Sequence, residues 1–172
     1  MHQRFSNGEM NAGVRSMVAS KGRRLAARFT GLRPATARAS QVAASSSLKS
    51  GTKCEVRLCA AMQELGLEFT TNVASLPGCP DLVFEREKVA VFADGDFWHG
   101  RKLAQRVARL SRGHNSEYWI RKIQSNVARD RRVRRQLRAL GWRVICVWES
   151  DINSHLDRAT ARIVKALRKD ES

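Results

Sequence analysis

Three acids and a histidine stand close together at the turns of this sequence. Asp81 follows Pro80 and opens an apolar run, Asp81-Leu82-Val83-Phe84. Asp94 and Asp96 stand at the exit of the next run and lead into Phe97-Trp98-His99. Clustered carboxylates repel one another unless a cation neutralises them. An all-oxygen set suits Mg2+ or Mn2+, which keep some of their waters and accept phosphate oxygens. A histidine beside such a set, in a chain of net charge +16, fits metal-assisted hydrolysis of a phosphodiester, with His99 taking the proton from the attacking water. Each of these residues taken alone has a plainer reading. An isolated acid is more often a cap, an ion-pair partner or a turn residue, and Asp94-Gly95 alone reads first as a turn. The joint pattern favours chemistry.

The elements that must position these residues follow from periodicity. A helix is expected from about 53 to 65, with Leu58, Met62 and Leu65 on one stripe and Gly66 ending it. Glu55 falls on the same stripe. Strands are expected at 68–72, 81–84 and 88–93, with a turn at 76–80 and a polar hairpin at 85–87. Residues 101–110 are weakly helical. A long helix runs from about 117 to 140, capped by Gly141, and a core strand follows at 143–148. Residues 155–168 form a terminal amphipathic helix. The long helix carries Trp119, Ile123, Asn126, Asp130, Val133, Leu137 and Leu140 at spacings of four and three, which is a core stripe. Asn126 and Asp130 interrupt it, and a carboxylate on a buried face is costly unless paired or bound to metal. Two helices thus each aim one acid, Glu55 and Asp130, at a mixed α/β sheet.

Charge divides the chain unevenly. Residues 1–50 hold nine Lys/Arg and one acid, whereas 51–172 hold 23 and 15. Residues 1–47 read as a basic, disordered arm: a DNA-binding tail, a transit peptide or an over-extended start. Residues 48–172 read as one domain. Later basic residues cluster at Arg101, Lys102, Arg106, Arg109 and Arg112, and again from Arg129 to Arg138, mostly off the apolar stripe and able to face phosphates. No apolar run reaches the length of a membrane span. The four Cys form no CxxC pair and read as small buried thiols of a reducing compartment.

Several longer motifs occur in one order: Thr52-Lys53-Cys54-Glu55-Val56-Arg57, Leu76-Pro77-Gly78-Cys79-Pro80-Asp81, and Ala93-Asp94-Gly95-Asp96-Phe97-Trp98-His99-Gly100. Tyr118-Trp119, Asn126, Arg129-Asp130 and Gly141-Trp142-Arg143-Val144 follow, then Val147-Trp148-Glu149. Over about residues 48–152 the chain resembles the very-short-patch repair (Vsr) endonucleases, a branch of the PD-(D/E)xK restriction-endonuclease-like superfamily. The resemblance implies an αβββαβ core with a mixed sheet flanked by helices. It implies an enzyme that nicks duplex DNA 5′ of the thymine in T·G mismatches arising from 5-methylcytosine deamination. It makes Asp81 the principal magnesium-binding carboxylate, joined by the backbone carbonyl of Ala93, and His99 the general base. Asp94 stands where some members carry a second histidine near the scissile phosphate. Glu55 and Asp130 match supporting acids. Phe97, Trp98 and Trp119 match aromatics that wedge beside the mismatch, Trp98 foremost, and Asn126, Arg101 and Lys102 are expected on the DNA side. Apolar wedges unstack a step most cheaply where pairing is already weak.

The departures from the family carry expectations too. Many members bind a structural zinc through Cys and His; the matching positions here are Asp96, Arg101, Leu103 and Ser150, so no structural zinc is expected. The superfamily's lysine after the second acid is missing, which leaves more of the proton chemistry to His99. A monomer acting on double-stranded DNA is implied, cytoplasmic and at the bacterial nucleoid, with a mismatch-repair matchmaker as a candidate partner. Other readings stay open. One is a restriction or phage-defence nuclease of the same fold without mismatch specificity. Another is a catalytically silent basic DNA-binding module. An anionic-membrane binder lacks a suitable apolar helix outside the core.

Overall fold

The computed structural model describes residues 51–168, so the expected basic arm lies outside the described residues. The elements in chain order are α1 (Lys53–Glu64), β1 (Thr70–Thr71), β2 (Leu82–Phe84), β3 (Val89–Asp94), α2 (Leu103–Leu110), α3 (Ser116–Ala139), β4 (Arg143–Trp148), α4 (Glu149–Ser154) and α5 (Leu156–Leu167). The sheet order is β1-β2-β3-β4. The first three strands are antiparallel neighbours, and β3 and β4 run parallel, from Val89 opposite Arg143 to Asp94 opposite Trp148. This is the mixed sheet flanked by helices that the sequence implies.

Strand alternation splits the core into two layers. Leu82, Phe84, Val89 and Val91 face Leu58 and Met62 of α1, Ile152 of α4, and Ala159 and Ile163 of α5. Val83 and Ala90 face Leu137 and Val133 of α3. Leu58 and Met62 are fully buried, each contributing about 2 kcal/mol of apolar burial. Helix α1 starts on Thr52, whose side chain accepts from the Glu55 amide at 3.4 Å.

Four sequence expectations need correction. Leu65 and Leu140 are exposed, at 55% and 60%, because each sits at its helix C-cap, where the stripe has run past the sheet. The strand expected over 68–72 shrinks to Thr70–Thr71, ended by the left-handed Asn72. Phe69 instead packs on Phe84 with ring centres 5.7 Å apart. Helix α4 was not foreseen: it is six residues long and buries only Ile152, too little to show a period. Among the described residues no helix is long and apolar enough to cross a membrane. The four cysteines are free; Cys54 is buried and the others are half-buried.

Candidate active site

Strand β3 positions several of the candidate residues because it ends between the two helical layers. Its last residue, Asp94, is buried on the α3 side. Asp94 Oδ1 lies 3.5 Å from His99 Nδ1, and its other oxygen accepts from Arg134 on α3. His99 Nδ1 makes a closer contact of 2.6 Å with Asp130 Oδ2, and Arg129 donates to the other Asp130 oxygen at 2.8 Å. An ionised carboxylate can only accept, so Asp130 selects the tautomer with hydrogen on Nδ1 and leaves the lone pair on Nε2. Among the described residues nothing hydrogen-bonds to Nε2. A histidine oriented by a half-buried acid is the arrangement that proton abstraction requires.

The two acids titrate in opposite directions. Burial pushes the Asp94 carboxyl above its ordinary value, outweighing the His99 and Arg134 charges. Burial also acts upward on Asp130, but the hydrogen bond and charge of His99, with Arg129, outweigh it and hold Asp130 below the usual carboxylate value. A cleft of about 290 Å³ opens beside them, lined by Asp94, His99, Arg129, Asp130 and Arg134 among others. Leu76, Gly78 and Cys79 of the preceding turn line it as well. A Cβ on Gly78 would come within 2.3 Å of Val133, and the residue has φ +78°, so glycine is needed there on both counts.

Asp81, also buried, lies just before β2. Its amide donates to Val91 O at 2.9 Å, and its Oδ2 accepts from the Ala93 amide at 2.8 Å. The two residues expected to hold a metal are therefore neighbours across β2 and β3. Glu55 is buried on α1 and accepts from the Gly51 amide at 2.8 Å, so it also serves the helix start. Cys59 registers both acids: burial first, then Glu55 and Asp81, push its thiol up to about 11. Among the described residues no three His, Cys, Asp or Glu form a ready-made metal cluster. The donors nonetheless fit a hard cation. A buried carboxylate beside a backbone carbonyl, with a second acid nearby, suits magnesium, which takes one or two carboxylates and completes its shell with water and phosphate oxygens.

The loop from Gly95 to Lys102 carries the aromatic residues. Phe97 and Trp98 meet edge to face at 5.0 Å, and Trp119 lies 6.0 and 6.1 Å from them. All three are half-buried. Lys122 sits over Trp98 and Trp119, and Arg106 over Phe97. Asn126 donates to the Trp98 carbonyl at 3.2 Å and so ties the loop to α3. The side chain of Arg101 turns towards Asp96, Ser150 and Asp151, whereas Lys102 is exposed. Asp96, Arg101, Leu103 and Ser150 do not fit zinc: a guanidinium and an alkyl chain ligate no metal.

Sequence reasoning missed two inward-turning arginines. Arg129 and Arg134 were grouped with residues facing phosphates, yet they grip Asp130 and Asp94. A signal was present for the second: Arg134 stands one turn beyond Asp130, on the same helix face. Gly100 was also missed. A Cβ there would meet Val127 at 2.6 Å, so glycine lets the His99 loop close onto α3.

Comparison with known proteins agrees with this geometry. The sequence pattern of the family described as DNA mismatch endonuclease Vsr matches residues 35–105. The type II nicking enzyme V.NmeDIP of Neisseria meningitidis serogroup C is 41% identical over 118 residues, covering 69% of this chain and 78% of its own. The type II nicking enzyme V.HpaIIP of Haemophilus parainfluenzae is 37% identical over 122 residues, covering 71% and 85%. The DNA mismatch endonuclease Vsr of Escherichia coli K12 is 41% identical over 98 residues, covering 57% and 61%. With the family's pattern over residues 35–105 and two relatives matched over more than two thirds of their length, this chain belongs to the Vsr endonucleases and is a DNA endonuclease.

Proposed function

We propose that this endonuclease nicks one strand of duplex DNA 5′ of the thymine in T·G mismatches left by 5-methylcytosine deamination. The observation that carries the reading is the half-exposed Phe97-Trp98-Trp119 cluster, two members of which directly precede His99 in the chain. Aromatic side chains presented beside a nuclease site can enter a base stack, at least cost where a mismatch has weakened it. Lys122 and Lys102 supply cations near the cluster for the flanking phosphates.

In this reading His99 accepts the proton of the attacking water at Nε2. Asp130 keeps the ring in that tautomer and stabilises the imidazolium that forms. Arg134 neutralises Asp94, so the buried acid does not repel the incoming phosphate. Asp81 and the Ala93 carbonyl would hold Mg2+ or Mn2+, with Glu55 as a supporting acid. Such an ion, when bound, neutralises the phosphate and the departing oxygen. All these residues come from one chain, so a monomer suffices.

A second reading is favoured by relatives named type II nicking enzymes: the same chemistry on duplexes chosen by sequence rather than by mismatch. A nicking assay separates the two. One labelled duplex carries a single T·G pair and its control carries T·A, each with magnesium and with EDTA. Magnesium-dependent nicking of the T·G duplex alone supports mismatch repair. Equal nicking of both sinks it in favour of the second reading.

A further inference from the structure

Outside the cleft, the side chain of Arg101 makes several contacts at once. One nitrogen of its guanidinium lies 3.6 Å from Asp96 Oδ1 and donates to Ser150 Oγ; the other donates to Asp151 Oδ1 at 2.8 Å. Its carbon sits 5.7 Å from the centre of the Trp148 ring. Asp96 completes the circuit by accepting from the Ser150 amide at 3.4 Å and, through its carbonyl, from the Arg101 amide at 3.1 Å.

Sheet register explains the meeting. Asp94 and Trp148 are the last paired residues of the parallel strands β3 and β4. Asp96 and Ser150 each lie two residues further on, so the His99 loop and α4 leave the sheet side by side. Within the loop, His99 is held to Asp130 of α3 at 2.6 Å. The loop's internal bonds, from His99 to Gly95 and from Arg101 to Asp96, tie it only to itself. Asn126 fixes its middle, at Trp98. Arg101 fixes its far end, across 49 and 50 residues of chain.

We infer that Arg101 is a positioning residue: its guanidinium serves as a built-in structural cation that clamps the Phe97-Trp98-His99 loop to the start of α4. A guanidinium suits this work, since its planar fork engages several acceptors at once and its charge is permanent. Two carboxylates face this one cation, so its charge is spent inside the protein rather than on phosphate. Asp96 and Ser150, two of the positions that match zinc ligands of the family, are thus bridged by an organic cation. The inference rests on the endonuclease activity of the fold and holds whether or not the preferred duplex is mismatched.

The test uses the full chain and whichever of the T·G and T·A duplexes the wild type nicks faster. Arg101→Met, Arg101→Lys and Asp151→Asn are compared for kcat, KM, melting temperature, zinc content and the salt dependence of DNA binding. Displacing a base by about 1 Å costs roughly 10²-fold in rate. We therefore expect Arg101→Met to lose about that much kcat with KM little changed and the salt slope intact. Asp151→Asn should lower kcat in the same direction although it adds net positive charge, and Arg101→Lys should recover part of the rate. Wild type should carry no stoichiometric zinc, and EDTA should leave its melting temperature unchanged. If Arg101→Met fails to fold, Arg101→Lys and Asp151→Asn decide by the same readouts. A salt slope smaller by about one with kcat retained would make Arg101 a phosphate contact and overturn the inference. One equivalent of zinc, or faster nicking by Asp151→Asn, would overturn it as well. Zinc content, melting and salt dependence remain readable if the choice of duplex proves wrong.

Discussion

Four acids of the candidate site, Asp94, Asp130, Asp81 and Glu55, show two kinds of contact. On the α3 side, Asp94 and Asp130 are cross-linked to Arg134, Arg129 and His99. Asp81 and Glu55, in contrast, each accept from a backbone amide, those of Ala93 and Gly51. Side-chain cations assemble the first group in the free protein, so its geometry is set before substrate arrives. In the proposed mechanism the second group, Asp81 with Glu55 in support, would hold the metal ion. Under the proposed mechanism the difference is a division of labour: proton handling would be pre-organised by the fold, while charge neutralisation at the phosphate would await a cation.

Mutations can break this contrast from either side. The largest effect is expected for Asp81→Asn. Asparagine keeps an oxygen for the Ala93 amide, so folding should survive, while nicking should fall roughly 10³-fold or more through loss of the cation's charge stabilisation. Single-turnover nicking and a thermal melt check both halves. Next is His99→Gln, which should cost about 10²- to 10⁴-fold, the usual worth of a positioned general base.

Arg134→Met should act on stability first. It strands Asp94 without its cation, and breaking a buried pair this way costs about 3 kcal/mol or more. Asp94→Asn in the same chain should restore most of that loss; failure of the double variant to recover in denaturant titrations would show that the pair does not matter.

A pH experiment sharpens the comparison of the two α3-side acids. Asp130, held below its ordinary value, contributes stability that is complete above the normal Asp range and is lost as pH falls through its lowered value. Asp94, raised, works in reverse: its contribution fades as pH rises from the normal Asp range through its raised value. The stability gap between wild type and Asp130→Asn should therefore close at low pH, and a gap constant down to acid unfolding would contradict the assignment. The smallest effect belongs to Trp98→Ala. Losing one stacking side chain is worth about 1–3 kcal/mol, read as weaker discrimination of T·G from T·A rather than as loss of chemistry.

Much of this site was legible in the sequence because its acids break strong periodic patterns. Asp130 interrupts an apolar stripe and Asp81 opens a buried strand, so both had to be satisfied by something specific. Helix and strand positions followed for the same reason; α3 and β4 lie within a residue of expectation. The α4 helix was not legible because it buries a single apolar residue. The inward turn of Arg129 and Arg134 was hidden in a run of arginines, where composition signals a phosphate surface and only packing reveals which ones point inward. The Arg101 clamp was hidden for another reason: its partners Ser150 and Asp151 lie some fifty residues away, and strand register alone brings them together.

The division of labour is tested most directly by single-turnover nicking as a function of magnesium concentration, for wild type, Asp81→Asn and His99→Gln. The account predicts that Asp81→Asn moves the magnesium midpoint sharply upward or removes nicking altogether. It predicts that His99→Gln keeps the wild-type midpoint and lowers only the plateau. Nicking that needs no divalent cation, or a midpoint shifted equally by both substitutions, would contradict it.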